Sequence, residues 1–408
     1  MKLQKFDYQI KDNRKNKSFI ILGLLLVALV VGVVLYKTFA VYTSEDSYNI
    51  IKGTVGEFTI EPLKITYNLV GEDGGIMSTS ELPSSTEYEF DQDSSSCVNG
   101  NKIDYNNNTV TIGDGSEGLE DTCNLYFNYI PLAKQKLYAL GYTSDDIKTG
   151  TPYGNDEEGE DGFYAAPDNY GTSYYYYAAA ENERPVFLIG DYYYLLIRIN
   201  GDGSLRLLFW DAIVNSRFID EVTTFDNAHV GYMYGAIGAN DYALTHQNTN
   251  PSYIINRVNN FFGDIIDSSY LADNLFCNDR TLYKSEYGDI EVGDTAKGYG
   301  TETTYYGAYY RLKYNKPSLM CERKEDSFTK EDTNYGNGLN PDYYGLLTAD
   351  EIYMTNPAWY ANWIGEEFLT MSPYAFKDST AYVYGFSINT STLEPISVTD
   401  RLSSYGIV

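Results

Sequence analysis

Histidine is nearly missing from this chain: only His229 and His246 occur in 408 residues. General acid–base catalysis leans on imidazole, so that route has little material here. The two lie seventeen residues apart, which rules out a shared i, i+4 face for a helical metal pair. Each reads as a structural hydrogen-bonding side chain. No Gly-Lys dipeptide exists, which excludes a Walker phosphate loop, and no G-x-S-x-G nucleophile elbow occurs. "GYGTET" lacks the third glycine of a dinucleotide fingerprint. Basic residues are scarce: 29 Lys and Arg stand against 57 Asp and Glu, for a net charge of −28. That field repels phosphate backbones and no basic patch offsets it, so nucleic acid is excluded as a partner. Carboxylates are so frequent that spacing alone gives no pair a catalytic role.

Apolar residues are present as one long run. Residues 1–18 carry Lys2, Lys5, Lys11, Arg14, Lys15 and Lys17 against Asp7 and Asp12. "FIILGLLLVALVVGVVLY" follows, Phe19 to Tyr36, without a charge. At about 1.5 Å per residue it reaches roughly 27 Å, the thickness of a bilayer's hydrocarbon. A cleavable signal has an apolar core of about 7–15 residues and a small-residue cleavage site. "KTFAVYT" offers no A-x-A pattern. The segment 19–36 is therefore expected to be an uncleaved transmembrane signal anchor. Its positive flank keeps the N-terminus cytoplasmic and places everything from about Thr38 outside the cell membrane.

All four cysteines, Cys97, Cys123, Cys277 and Cys321, then fall in an oxidising compartment, where an even number reads as disulfides. Three connectivities exist. Pairing neighbours, Cys97–Cys123 and Cys277–Cys321, gives one bridge to each of two domains, worth about 3–4 kcal/mol apiece in the chain-entropy model. The Cys277 of "LFCNDR" is thus expected to be bridged rather than reactive.

Residues 44–130 alternate apolar and polar with frequent turn residues, as in "EFTIEPLKITYNLV", "KIDYNNNTVTIG" and "TCNLYFNYI". They predict a small all-β sandwich of Ig-like type. Residues 131–172 predict a short helix, "LAKQKLYALGYT", stopped by Gly141, and then an acidic connector. The acidic core "NDEEGEDG" does not match an EF-hand loop and reads as a solvated loop. From residue 173 to 408 the pattern becomes α+β with mostly antiparallel strands. "DYYYLLIRI" and "SLRLLFW" form a hairpin through Asn200-Gly201-Asp202-Gly203. A helix is expected over 251–266, with Asn250 as cap, Pro251 at its first position, and Ile254, Val258, Phe261, Phe262 and Ile265 on one face. "LLTADEIYM" starts another, with a Thr348/Glu351 capping box and a Leu347/Ile352 staple. Tyrosine is abundant, at 43 residues. In strands, half of these would be core or cross-strand partners, while Tyr305, Tyr306, Tyr309 and Tyr310 are candidates for an exposed aromatic surface for sugars or proteins.

Several stretches together resemble an uncharacterised group of membrane-anchored surface proteins of gut Firmicutes. They are "YKTFAVYTSEDSYNIIKGTV", "LLIRINGDGSLRLLF", "VGYMYG", "THQNTN", "FCNDR", "LLTADEI" and "LTMSPYAF", in that order. The distal half also resembles a bacterial domain of unknown function, and this implies a C-type-lectin-like or sulfatase-modifying-factor-like fold. Tyr194-Leu195 stands where the first family motif opens on Trp-Arg. The chain stops at "SYGIV", where the family continues into its last strand; an absent strand would leave its neighbour with an open edge. The lectin sugar signatures E-P-N and W-N-D are not matched, so no site is carried over.

These readings converge on a non-enzymatic surface protein for adhesion or for binding a carbohydrate or protein ligand. They assign no catalytic residue, cofactor or metal ligand. Two alternatives follow from the resemblance and from the open strands. One is a copper-dependent, formylglycine-generating-like oxidase of substrate cysteines, using Cys277 and Cys321. The other is a structural subunit of a surface assembly.

Overall fold

The computed structural model describes residues 63–113, 121–154, 159–210, 213–214, 225–262, 266–284, 296–363, 368–387, 390–397 and 406–407. The expected anchor at 19–36 and its flank lie outside the described residues. Among the described residues no helix is long and apolar enough to cross a membrane.

Period-two alternation builds the first layer. Its strands are β1 (Lys64–Val70), β2 (Ile76–Thr79), β3 (Tyr88–Cys97), β4 (Ile103–Asn106), β5 (Thr109–Ile112) and β6 (Thr122–Tyr129). Four of them form a sheet in the order β2-β1-β6-β3, and β4 and β5 make a separate hairpin. β1 and β6 run parallel while the other pairs are antiparallel. Along β6, Cys123, Leu125 and Phe127 are buried at every second position, so one face meets the core. The hairpin covers that face: the Tyr105 ring lies 5.0 Å from Phe90 and 5.6 Å from Phe127. Asn107 and Asn108, with φ of 48° and 60°, supply the positive angles its turn requires.

Helix α1 (Leu132–Ala139) follows and stops before Gly141, whose φ is 93°. A second sheet comes next: β7 (Ile147–Lys148), β8 (Gly162–Asp168), β9 (Gly171–Tyr177), β10 (Val186–Ile189), β11 (Tyr192–Ile199) and β12 (Leu205–Phe209). Its order is β10-β11-β9-β8-β7, with β12 on the other side of β11. β7, β8 and the start of β9 thus lie within the stretch expected to be an acidic connector. Their apolar pattern does not alternate because both faces are covered: Phe163 packs against α1, and Tyr164 packs against Leu319 and Met354. The most acidic part, residues 155–158, lies outside the described residues. Asp161 beside it is engaged locally, accepting from the Ala179 amide and the Asn182 side chain.

The remaining elements are β13 (Ile213–Val214), β14 (Met233–Tyr234), α2 (Tyr242–Thr245), β15 (Asn250–Pro251), α3 (Tyr253–Phe262), β16 (Phe276–Cys277), β17 (Thr304–Tyr305), α4 (Gly307–Lys313), β18 (Ser327–Phe328), α5 (Ala349–Met354), α6 (Pro357–Trp363), β19 (Phe368–Lys377), β20 (Thr380–Ser387), β21 (Thr392–Ser397) and β22 (Gly406–Ile407). A third sheet has the order β13-β22-β19-β20-β21, with β17 added to β19. Helix α3 begins later than expected because Asn250 and Pro251 pair as a strand with β14. Ile254 and Val258 are buried as the pattern predicts, but Phe261 is 37% exposed. In α5 both arms of the capping box form: the Glu351 amide donates to Thr348 Oγ1 at 3.0 Å and the Thr348 amide to Glu351 Oε2 at 2.8 Å. Leu347 and Ile352 share the core between the second and third sheets with Leu195, Ile197, Trp359 and Phe368. The expected aromatic surface is largely interior: Tyr306 and Tyr310 are fully buried and Tyr305 is 8% exposed. The fold is mostly antiparallel β, with few and short helices.

Candidate functional site

Both neighbour disulfides form. Cys97 and Cys123 sit opposite each other on β3 and β6, with Cα atoms 4.0 Å apart. Cys277 of β16 joins Cys321 across 5.6 Å. Asp121 lies close to Cys97 and Cys123, but their sulfurs are spent on each other, so the trio is not a metal-ligand set. The oxidised Cys277–Cys321 pair likewise presents no thiolate for copper.

Around Cys277 the motif "LFCNDR" is structural. Asn278 accepts from the Tyr232 amide. Arg280 is fully buried and donates to Asp326 through Nε at 2.8 Å and Nη2 at 2.6 Å, to the Met233 carbonyl at 2.8 Å, and to Asn248 at 2.7 Å. Asp279 accepts from Arg311 Nη1 at 2.5 Å, and Arg311 also grips Asp350 at 2.8 and 2.9 Å. Burial would raise the Asp279 carboxyl, yet the Arg311 charge and hydrogen bonds hold it below the usual carboxylate range.

Two arginines on adjacent strands continue this polar interior. Arg198 of β11 donates to Asp168 at 3.0 Å and to Glu351 Oε1 at 3.1 Å. Arg206 of β12 places Nε 3.5 Å from the same Glu351 oxygen. Its guanidinium stacks 4.1 Å over the Phe276 ring and donates to the Leu275 carbonyl. Burial pushes the Arg206 guanidinium down to about 10, against the pull of Glu351, so it is charged at neutral pH.

Arg206 also lines a cleft of about 840 Å³. Its walls are β12, the segment 270–276 and the segment 343–347. That volume lies within the range of about 300–1,000 Å³ typical of ligand pockets. The lining is chiefly apolar, with Leu207, Leu271, Leu346 and Phe276 among its members. Tyr194 and Asn200 are among its polar lining residues. The Tyr194 hydroxyl and Asn200 Oδ1 are buried without a hydrogen-bond partner among the described residues.

The expected site residues do not all gather here. Cys277 borders the polar interior behind Arg206, together with Cys321's neighbour Met320, whereas Cys97 and Cys123 belong to the first sheet. His246 is interior, its ring held by Thr245, the Tyr242 carbonyl and the Tyr306 hydroxyl at 2.8–3.1 Å. His229 is buried with its ring edge-on to Tyr234. Both are buried. In the sequence Tyr194 stands out only as a departure from the family motif and Asn200 only as a turn residue, and Arg206 does not stand out. The available signal was a lone arginine within each of two apolar strands, "LLIRI" and "LRLLF". No family model, curated protein or solved structure matches the chain.

Proposed function

We propose that this is a membrane-anchored, extracellular surface protein whose distal half binds a ligand in the cleft beside β12. The observation that carries the binding reading is the apolar cleft itself. The charge-free run at 19–36 behind a basic flank, two disulfides and the acidic composition support the surface location. On this reading the first sheet and its covering hairpin are an Ig-like stalk and residues 173–408 a C-type-lectin-like head. The hairpin β11–β12, the capped helix α5 and the following long strand β19 keep the order of the family resemblance. Fold likeness alone assigns no sugar or calcium site. The mainly aliphatic lining favours an apolar ligand over a free sugar, which would need several paired polar groups.

All four cysteines are paired, so Ala272→Cys at the cleft mouth introduces the sole free thiol. Full-length protein in lipid nanodiscs, labelled there with an environment-sensitive fluorophore, is titrated with oleate, a pool of aliphatic heptapeptides and N-acetylated disaccharides. The reading expects a saturable emission shift with the apolar ligands. No response to any of the three would remove it.

A further inference from the structure

β12 is an outer strand: among the described residues it pairs with β11 and has no strand on its other side. Every residue from Gly203 to Phe209 lines the cleft. A strand offering a face would contribute alternate residues only. Its two faces are already occupied. Leu205 and Leu207 pack with Ala133 and Leu137 of α1, while Leu208 packs with Leu347, Ile352 and Trp359. What β12 turns towards the cleft is its edge.

The ladder decides which backbone groups lie on that edge. At one end the Trp210 amide donates to the Tyr193 carbonyl at 3.1 Å; at the other the Asn200 amide donates to the Ser204 carbonyl at 2.8 Å. Opposed residues in an antiparallel pair alternate between bonded and non-bonded positions. Counting inward from either end, Arg206 and Leu208 spend their N–H and C=O on β11. Leu205 and Leu207 aim theirs outward. The irregularity between Leu196 and Arg198 lies on β11 and leaves this alternation in phase. Backbone groups in an apolar cleft need partners, at a cost of about 1–3 kcal/mol each when unmet.

We infer that the cleft receives an extended polypeptide segment, aliphatic at alternate positions, as an added strand on the open edge of β12. This deepens the ligand-binding reading and rests on it. A lipid can satisfy one or two polar atoms, but only another backbone meets a repeating row of donors and acceptors. Charge narrows the segment further. In a chain of net charge −28, the described cleft wall carries no carboxylate, and its cationic side chains are Lys136 and Arg206. A Lys or Arg inside the inserted stretch would find no counter-charge.

The test uses full-length protein in nanodiscs and a pool of acetylated, amidated heptapeptides randomised among Val, Leu, Ile, Thr and Lys. Selection is expected to enrich alternating aliphatic peptides and deplete Lys. N-methylation of alternate residues in an enriched peptide removes its pairing donors and should weaken binding on the order of tenfold. Leu207→Pro deletes an amide that β11 does not use and should weaken binding similarly. Ala272→Trp should abolish it by filling the mouth. If Leu207→Pro fails to fold, the N-methylated peptide decides, because it leaves the protein unchanged. Equal binding of the N-methylated peptide, or no enrichment over Ala272→Trp, overturns the inference. A response of the labelled cleft to oleate without peptide enrichment would leave ligand binding standing and remove the added strand.

Discussion

Arg280 exchanges all contact with water for Asp326, Asn248 and the Met233 carbonyl. Buried ion pairs are weak net stabilisers, but removing one partner strands the other. Arg280→Ala leaves Asp326 buried with, among the described residues, Arg323 alone within ionic reach, 3.4 Å away. It should cost about 3–5 kcal/mol, read from denaturant midpoints. His246 supplies a pH dependence. Burial, with the Arg280 charge added, holds its imidazole well below the ordinary value. Below about pH 6.5 the unfolded chain protonates this ring while the folded protein does not. Its contribution to stability is therefore full above that pH and falls as pH drops towards the folded pKa. Melting temperatures between pH 7.5 and 5.5 should decline more steeply in the native protein than in His246→Gln. Equal slopes would contradict this assignment.

At the scale of elements, the Cys277–Cys321 bridge closes a span of 44 residues between β16 and the loop before β18. Replacing both cysteines by serine should cost about 4 kcal/mol in the chain-entropy model, measurable as a lower denaturation midpoint with a steeper slope from the expanded unfolded chain. Thr348→Ala removes one arm of the α5 capping box and should cost about 1 kcal/mol. These devices were legible because they are local. The Thr348/Glu351 spacing, the Asn200–Ser204 turn and the 3.6-residue stripe of Ile254 and Val258 each declare themselves within a few residues. β7 and β8 did not, since strands covered on both faces lose the period-two signal. Tyr306 and Tyr310 were misjudged for a related reason. Sequence shows that a tyrosine has an apolar body, not whether another layer lies over it.

For the molecule as a whole, the polar interior was the least legible feature. Arg198, Arg206, Arg280 and Arg311 would ordinarily read as surface residues. Their acidic partners, Asp168, Asp279, Asp326, Asp350 and Glu351, are scattered along the chain and meet only on folding. This interior fixes β11, β12 and α5 relative to one another, and so sets one wall of the cleft. The cleft itself is made by segments around residues 203–209, 270–276 and 343–347, a convergence that periodicity cannot foretell. Its defining property is a strand edge uncovered among the described residues, and amide hydrogen exchange at single-residue resolution reads that property directly. In full-length protein without ligand, Arg206 and Leu208 amides should be protected and Leu205 and Leu207 amides should exchange rapidly. Protection of all four alike would mean that the edge of β12 is already covered, and the added-strand account would fall with it.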